Sequence, residues 1–189
     1  KIYESITSLR IPEARTLISQ DKKANASNLI YPLLESYADF HQLFLNENKA
    51  EYSRMYPAFE QRIQLLEDGP KQSPYYLYSL ALAHLHKSLI AIRFNKNFEA
   101  ALDFRKAFLL FKANKKAYPI FTPTDVYYGL MSTVIGTIPK GYQWMANVLG
   151  MTGKISEGNA LVLKYINSKD AYSNQCRNEA LFVYPYLVM

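Results

Sequence analysis

The sequence predicts an all-α protein, an irregular right-handed solenoid of about seven to nine helices built as helical hairpins. Three observations carry this. Stretches with apolar residues at three- and four-residue spacing follow one another through the chain, separated by short turn signals. No stretch alternates apolar and polar residues as a strand would. One helix, Ser73 to Phe94, is apolar nearly all round and so needs neighbours nearly all round.

Taken in order, Pro12 and Glu13 open a short first helix running from about Ile11 to Lys23, since proline lacks only an N–H that has no partner there. Ser27-Asn28 caps a helix over Leu29 to Leu45, with Ile30, Leu33, Leu34, Tyr37, Phe40 and Phe44 in helical spacing. A third helix spans Lys49 to Glu67 and stops at Asp68-Gly69-Pro70. Ser73 and Pro74 then start the central helix, in which only a strip through Tyr75, His86 and Arg93 looks made for water. Asn95-Lys96-Asn97 turns into Phe98 to Ala117, and Tyr118-Pro119 ends it. Thr122 to Asp125 lead into Val126 to Ile135. Gly136 and Pro139 break that helix and restart it as Lys140 to Leu149. The last two helices run from Lys154 to Asn167 and from Tyr172 to Leu187.

Composition agrees with a folded domain. The 189 residues read as a single domain able to bury roughly 70% of the surface of the unfolded chain. The 49% hydrophobic content exceeds that of a disordered chain, and no apolar run reaches the ~20 residues of a membrane span. One cysteine, Cys176, excludes an internal disulfide framework. Lys1 is no initiator and Met189 falls inside an apolar pattern, so the chain reads as a piece, or a mature portion, of something longer.

A tetratricopeptide unit pairs two antiparallel helices in ~34 residues, with small residues where they cross. Tyr142, Met145, Ala146, Leu149, Gly153, Ile155, Gly158 and Val162 fall on its signature positions. Gly153 suits a turn at positive φ, and Gly158 suits the crossing, with Asn159 beside it tolerant of change. Ala100, Phe104 and Ala107 give a weaker second unit whose first helix is the central one; there His84 and Lys87 occupy positions normally aromatic and leucine. Between Tyr127 and Leu163 the order is a Gly129-Leu130 helix, an Ile138-Pro139 break, a short helix ending Leu149-Gly150, then Gly153-x-Ile155-x-x-Gly158. This resembles divergent tetratricopeptide-repeat proteins. Among them are a eukaryotic mitochondrial-outer-membrane family linked to inclusion-body clearance and exported proteins of Gram-negative bacteria. The resemblance implies a scaffold role and an exported location, with no catalytic residue to carry over.

Patterns for chemistry are nearly absent. His84 and His86 lie two apart and point different ways on a helix, so they cannot grip one metal; His41 stands alone. No nucleophile elbow, phosphate loop or zinc-protease motif occurs, and Gly136 to Gly141 lacks the strand a phosphate loop follows. The reading is therefore non-catalytic, without cofactor or metal.

Charge and aromatic content are more informative. Between His84 and Tyr118 the chain holds a surplus of six positive charges, equal to its whole net charge of +6. Arg105, Lys112 and Lys116 share a narrow arc of one helical face. This is either a solvated face or a strip for an anionic surface such as lipid or glycan; nucleic acid fits less well, since no reading motif accompanies it. The 16 tyrosines suit helix seams and binding grooves alike. Tyr75, Tyr76, Tyr78, Tyr127 and Tyr128 are candidates for one groove that holds a peptide or protein partner. The function read from the sequence is a protein-binding scaffold, with anionic-surface binding through residues 84–118 as the alternative.

Overall fold

The computed structural model describes residues 1–188, all of whose regular structure is helical. The chain divides into two compact units, Lys1–Ala107 and a second from Phe108 onward.

The first unit contains α1 (Ile2–Thr7), α2 (Ile11–Ala24), α3 (Ile30–Asn46), α4 (Lys49–Met55), α5 (Pro57–Glu67), α6 (Pro74–Arg93) and the first half of α7 (Asn97–Ala117). The ends of α6 follow from local chemistry. Ser73 Oγ accepts the Tyr75 N–H at 3.2 Å, as an N-cap should. At the other end Asn95 takes φ +61°, the Lys96 N–H reaches Ala91 O and the Asn95 N–H reaches Ile92 O. That is a Schellman closure, with asparagine filling a left-handed position that most side chains avoid. The expected single helix from Lys49 to Glu67 is two: Pro57 has no N–H to continue the ladder, so α4 ends and α5 begins at Tyr56.

The core sits between α3, α5 and α6, where Leu43, Phe59 and Ile90 are fully buried against Phe40, Tyr52, Met55, Tyr56 and Phe94. α6 is buried over most of its circumference, as its composition requires, and α3 shares that position by touching α1, α2, α5 and α6. Polar groups tie the same helices. Asp39, 2% exposed, receives hydrogen bonds from Arg15 Nη2 and Arg62 Nη2, each at 2.6 Å, and so joins α2, α3 and α5.

His86 corrects the water-facing strip. It lies in the α3–α6 seam, 3% exposed, its ring stacked on Phe40 at 4.8 Å and edge-on to Tyr37 at 4.3 Å. Its Nδ1 is 3.0 Å from Ser36 Oγ. Neighbours on a different helix decide its burial, and helical spacing within α6 does not show them. Desolvation, helped by the nearby His41 and Arg62, pushes the imidazole from 6.5 down to about 3. Burial also lowers His41. Between these values the unfolded chain takes up a proton at His86 that the native state refuses. Stability is therefore fully present above pH 6.5 and falls as pH drops toward 3. From pH 7 to pH 4.5 the native protein should lose about 2–3 kcal/mol more than a His86→Gln variant in denaturant melts. Equal losses in both would remove His86 as the source.

The second unit contains the rest of α7, then α8 (Pro123–Gly136), a 3₁₀ turn (Lys140–Tyr142), α9 (Gln143–Val148), α10 (Ile155–Ile166) and α11 (Arg177–Val188). Phe111 stacks on Tyr127 at 5.6 Å, and Phe108 lies 5.2 Å from Tyr128, which fixes α7 to α8. α10 has α8 as its main neighbour. The two backbones touch where glycines meet: a Cβ on Gly158 would stand 2.4 Å from Gly129 O, and one on Gly129 would stand 2.7 Å from Gly158 O. Gly153 is needed for the same kind of approach, since a Cβ there would lie 2.3 Å from Ser132 O. The positive φ expected at Gly153 belongs to Gly150, at +78°, which closes α9 in another Schellman turn through Met151 N–H to Ala146 O.

Asn159 is not the indifferent neighbour expected. Its Oδ1 accepts from Thr133 Oγ1 at 2.9 Å, and its Nδ2 donates to Leu187 O at 3.0 Å, so it links α8, α10 and α11. The 3₁₀ turn and α9 leave Tyr142, Trp144 and Val148 exposed, although Ala146 is buried. α11 starts at Arg177, five residues later than expected. Asp170 instead holds a turn through Tyr172 N–H, while Tyr165 Oη donates to Tyr172 O and accepts from Cys176 N–H. Cys176 is thereby buried at 1% exposure.

Candidate functional site

The tyrosines expected to line one groove separate into two sets. Tyr75, Tyr76 and Tyr78 lie in the first unit, Tyr127 and Tyr128 in the second. Tyr78 is buried and meets Tyr75 edge-on at 6.5 Å. Tyr127 is also buried, with its hydroxyl donating to Glu179 Oε2 at 2.6 Å, and Tyr128 is half-buried beside Phe108. These three serve helix seams.

Tyr75 and Tyr76 open onto a cavity of about 590 Å³ in the first unit. The start of α6 provides the two rings, Leu29 and Ile30 come from the start of α3, and Leu66 and Pro70 from the end of α5. Gly69 permits this meeting, because a Cβ there would approach Tyr76 Cδ2 to 3.2 Å and Leu29 Cδ1 to 3.4 Å. Asn28, Ser73 and Ser79 add polar groups. The Asn28 side chain accepts the Ile30 N–H and Ser73 accepts the Tyr75 N–H, so both helix starts are held at the mouth. An apolar hollow with a few fixed polar groups, and with Ile30 and Tyr75 about 40% exposed, is suited to an apolar side chain arriving from outside.

No family model, curated protein or solved structure matches this chain.

The basic stretch is less bare than its sequence count. Lys87 pairs with Glu60 at 2.6 Å and Asp103 at 3.3 Å, Arg93 pairs with Glu47, and Lys115 with Asp125. Glu60, Glu47 and Asp125 come from outside the stretch. Arg105, in the first unit, is half-buried, whereas Lys112 and Lys116, in the second, are exposed.

Sequence reasoning missed a polar network beneath the first unit's surface. His84 Nδ1 lies 2.7 Å from Asp103 Oδ1, and Lys87 bridges Asp103 to Glu60. Hydrogen bonding and charge from His84 and Lys87 outweigh burial and hold the Asp103 carboxyl below its ordinary range. Lys87 and Asp103 are 16 positions apart, and only the antiparallel pairing of α6 with α7 joins them. The sequence signal was the His84/Lys87/Ser88 face itself, polar where a packed helix should be apolar. Ser88 Oγ donates to Ala100 O at 2.9 Å and completes the seam. The Tyr56 hydroxyl, buried without a hydrogen-bond partner, lies in the adjoining aromatic layer, and burial drives its pKa upward. Among the described residues no three His, Cys, Asp or Glu side chains are placed to hold a metal ion. No described helix is long and apolar enough to cross a membrane.

Proposed function

We propose that the chain is a non-catalytic protein-binding scaffold of tetratricopeptide-like, solenoid type, which holds a short apolar peptide segment in the Tyr75–Tyr76 hollow. The observation that carries this reading is the hollow itself: a 590 Å³ space walled by two tyrosines and aliphatic side chains, with helix starts fixing its rim. Tyrosine offers large contact area with few rotors to freeze, which suits a recognition surface. The close α8–α10 crossing at Gly129 and Gly158, both part of the tetratricopeptide-like pattern, supports the scaffold class.

Panning a random-peptide phage library on the protein tests this, with recovered peptides titrated against two variants. Ile30→Asp places a carboxylate in the apolar lining of the hollow and should weaken binding at least about tenfold, because an apolar peptide side chain would have to desolvate that charge. Lys112→Gln with Lys116→Gln should leave it unchanged. Peptides that bind the Ile30 variant as well as the native protein would overturn the site. Peptides sensitive only to the lysine pair would favour the anionic-surface reading.

A further inference from the structure

We propose that a second cleft in the first unit, between α2, α3 and α5, binds a phosphomonoester dianion. The cleft has a volume of about 600 Å³, and its lining includes Arg15, Ser19, Lys22 and Lys23 from α2, Glu35 from α3 and Arg62 from α5. It shares no lining residue with the tyrosine hollow, so the two proposals stand or fall separately.

The pattern on α2 is helical. Arg15, Ser19 and Lys22 recur at four- and three-residue spacing and therefore present three donors on one face. Four cations line a space that holds one acid, Glu35. Beneath it the buried Asp39 takes one hydrogen bond each from Arg15 and Arg62. Glu35 accepts from Lys22 Nζ at 2.8 Å and stands 3.6 Å from Arg62 Nε. Set against these two carboxylates, the four cations leave two positive charges uncompensated at the cleft.

Arg15 Nη2 donates further to Gln42 Oε1 at 2.9 Å, which leaves Arg62 as the guanidinium with an unmet donor. Arg62 is only 11% exposed along its side chain, and its Nη1 is buried with no hydrogen-bond partner. An unsatisfied buried guanidinium nitrogen is costly, and a site that keeps one is short of an acceptor. Arg62 is nevertheless fixed, by Asp39 on one side and by the Phe59 ring at 5.6 Å on the other. Its partner acids thus orient the guanidinium without exhausting it.

The surplus selects the ligand class. A phosphomonoester carries about −1.5 to −2 charge near neutrality and three acceptor oxygens. That matches the two uncompensated charges, with the Lys22 ammonium and the Ser19 hydroxyl as donors and the guanidinium groups of Arg15 and Arg62 as fixed positive charge beside them. A carboxylate would leave one charge unmet. The cleft volume accommodates a small organic group beside the phosphate, with Ile18 as its apolar wall.

Isothermal titration with glycerol phosphate, inorganic phosphate and acetate, at one ionic strength set by chloride, tests the assignment. Saturable binding of glycerol phosphate is expected, with acetate at least about tenfold weaker. Equal affinity for the two phosphates would show that the phosphate group alone is held. Tighter glycerol phosphate would show that the organic part also contacts the cleft. Lys22→Gln should weaken glycerol phosphate about tenfold, and Lys23→Gln, at an exposed position, should weaken it less. Glu35→Gln removes the competing acid and should tighten binding severalfold. Circular dichroism confirms that each variant is folded. Absence of saturable binding, acetate equal to phosphate, or affinities unmoved by Lys22→Gln and Glu35→Gln would overturn the proposal.

Discussion

Gly158→Leu should destabilise the second unit by about 3 kcal/mol or more, at the upper end of the range for overpacked sites. The reason is geometric. Even the first carbon of a side chain at 158 would fall 2.2 Å from Thr133 Oγ1, 2.4 Å from Gly129 O and 2.8 Å from Thr133 N. A threonine hydroxyl can rotate, though here it would lose its bond to Asn159. The carbonyl and amide of α8 cannot yield without moving the helix, so α8 and α10 must part along their contact. Gly141→Ala is the control, because a Cβ there meets nothing within 4 Å. It should change stability by less than about 0.5 kcal/mol, as surface substitutions do. Denaturant melts in which Gly158→Leu behaves like Gly141→Ala would mean that α8 and α10 do not make this backbone contact.

In the first unit, Leu82→Ala on α6 should cost about 2–5 kcal/mol, the range for truncating a fully buried leucine. Leu82 has no exposed surface, and Leu80 and Leu85, at 5% and 3%, should respond similarly. Ile92, on the same helix, is 51% exposed and gives the comparison. Its replacement by alanine should cost less than about 1 kcal/mol, because much of its surface meets water in either state. A loss below about 1 kcal/mol for Leu82→Ala would place α6 at the periphery of the unit.

Much of this architecture was legible because it is written locally. Ser73-Pro74 starts α6, Asn95 ends it, and Leu149-Gly150 ends α9; each signal acts on backbone groups within a few residues. Gly158 at the α8–α10 contact was legible for a related reason, since its place in the repeat pattern already implied a close crossing, whereas its partner Gly129 was visible only as part of the resemblance. What escaped is long-range. The burial of His86 depends on Ser36 and Phe40, some 50 positions away, and the neutralisation of Arg93 depends on Glu47. Periodicity says which side of a helix is apolar. It does not say which partner brings an acid or a ring to the polar side. The α4–α5 break was a different omission, because Pro57 was visible and apolar spacing concealed its effect.

The cleft between α2, α3 and α5 was legible only in part. Arg15 and Lys22 show their shared face in sequence, but Arg62 reaches them only because Asp39 gathers two guanidinium groups from helices on either side.

The glycine contact between α8 and α10 also bears on how the second unit opens. A glycine inside a helix costs about 0.5–1 kcal/mol relative to alanine, because the free chain has more backbone freedom to lose. Gly129 and Gly158 both lie within their helices, so each helix is a weak one in isolation. Their meeting offsets this without freezing any side-chain rotamer at the crossing. Neither helix therefore has much reason to persist once the other has gone. α8 and α10 should unravel as one cooperative segment, and their slowly exchanging amides should lose protection together.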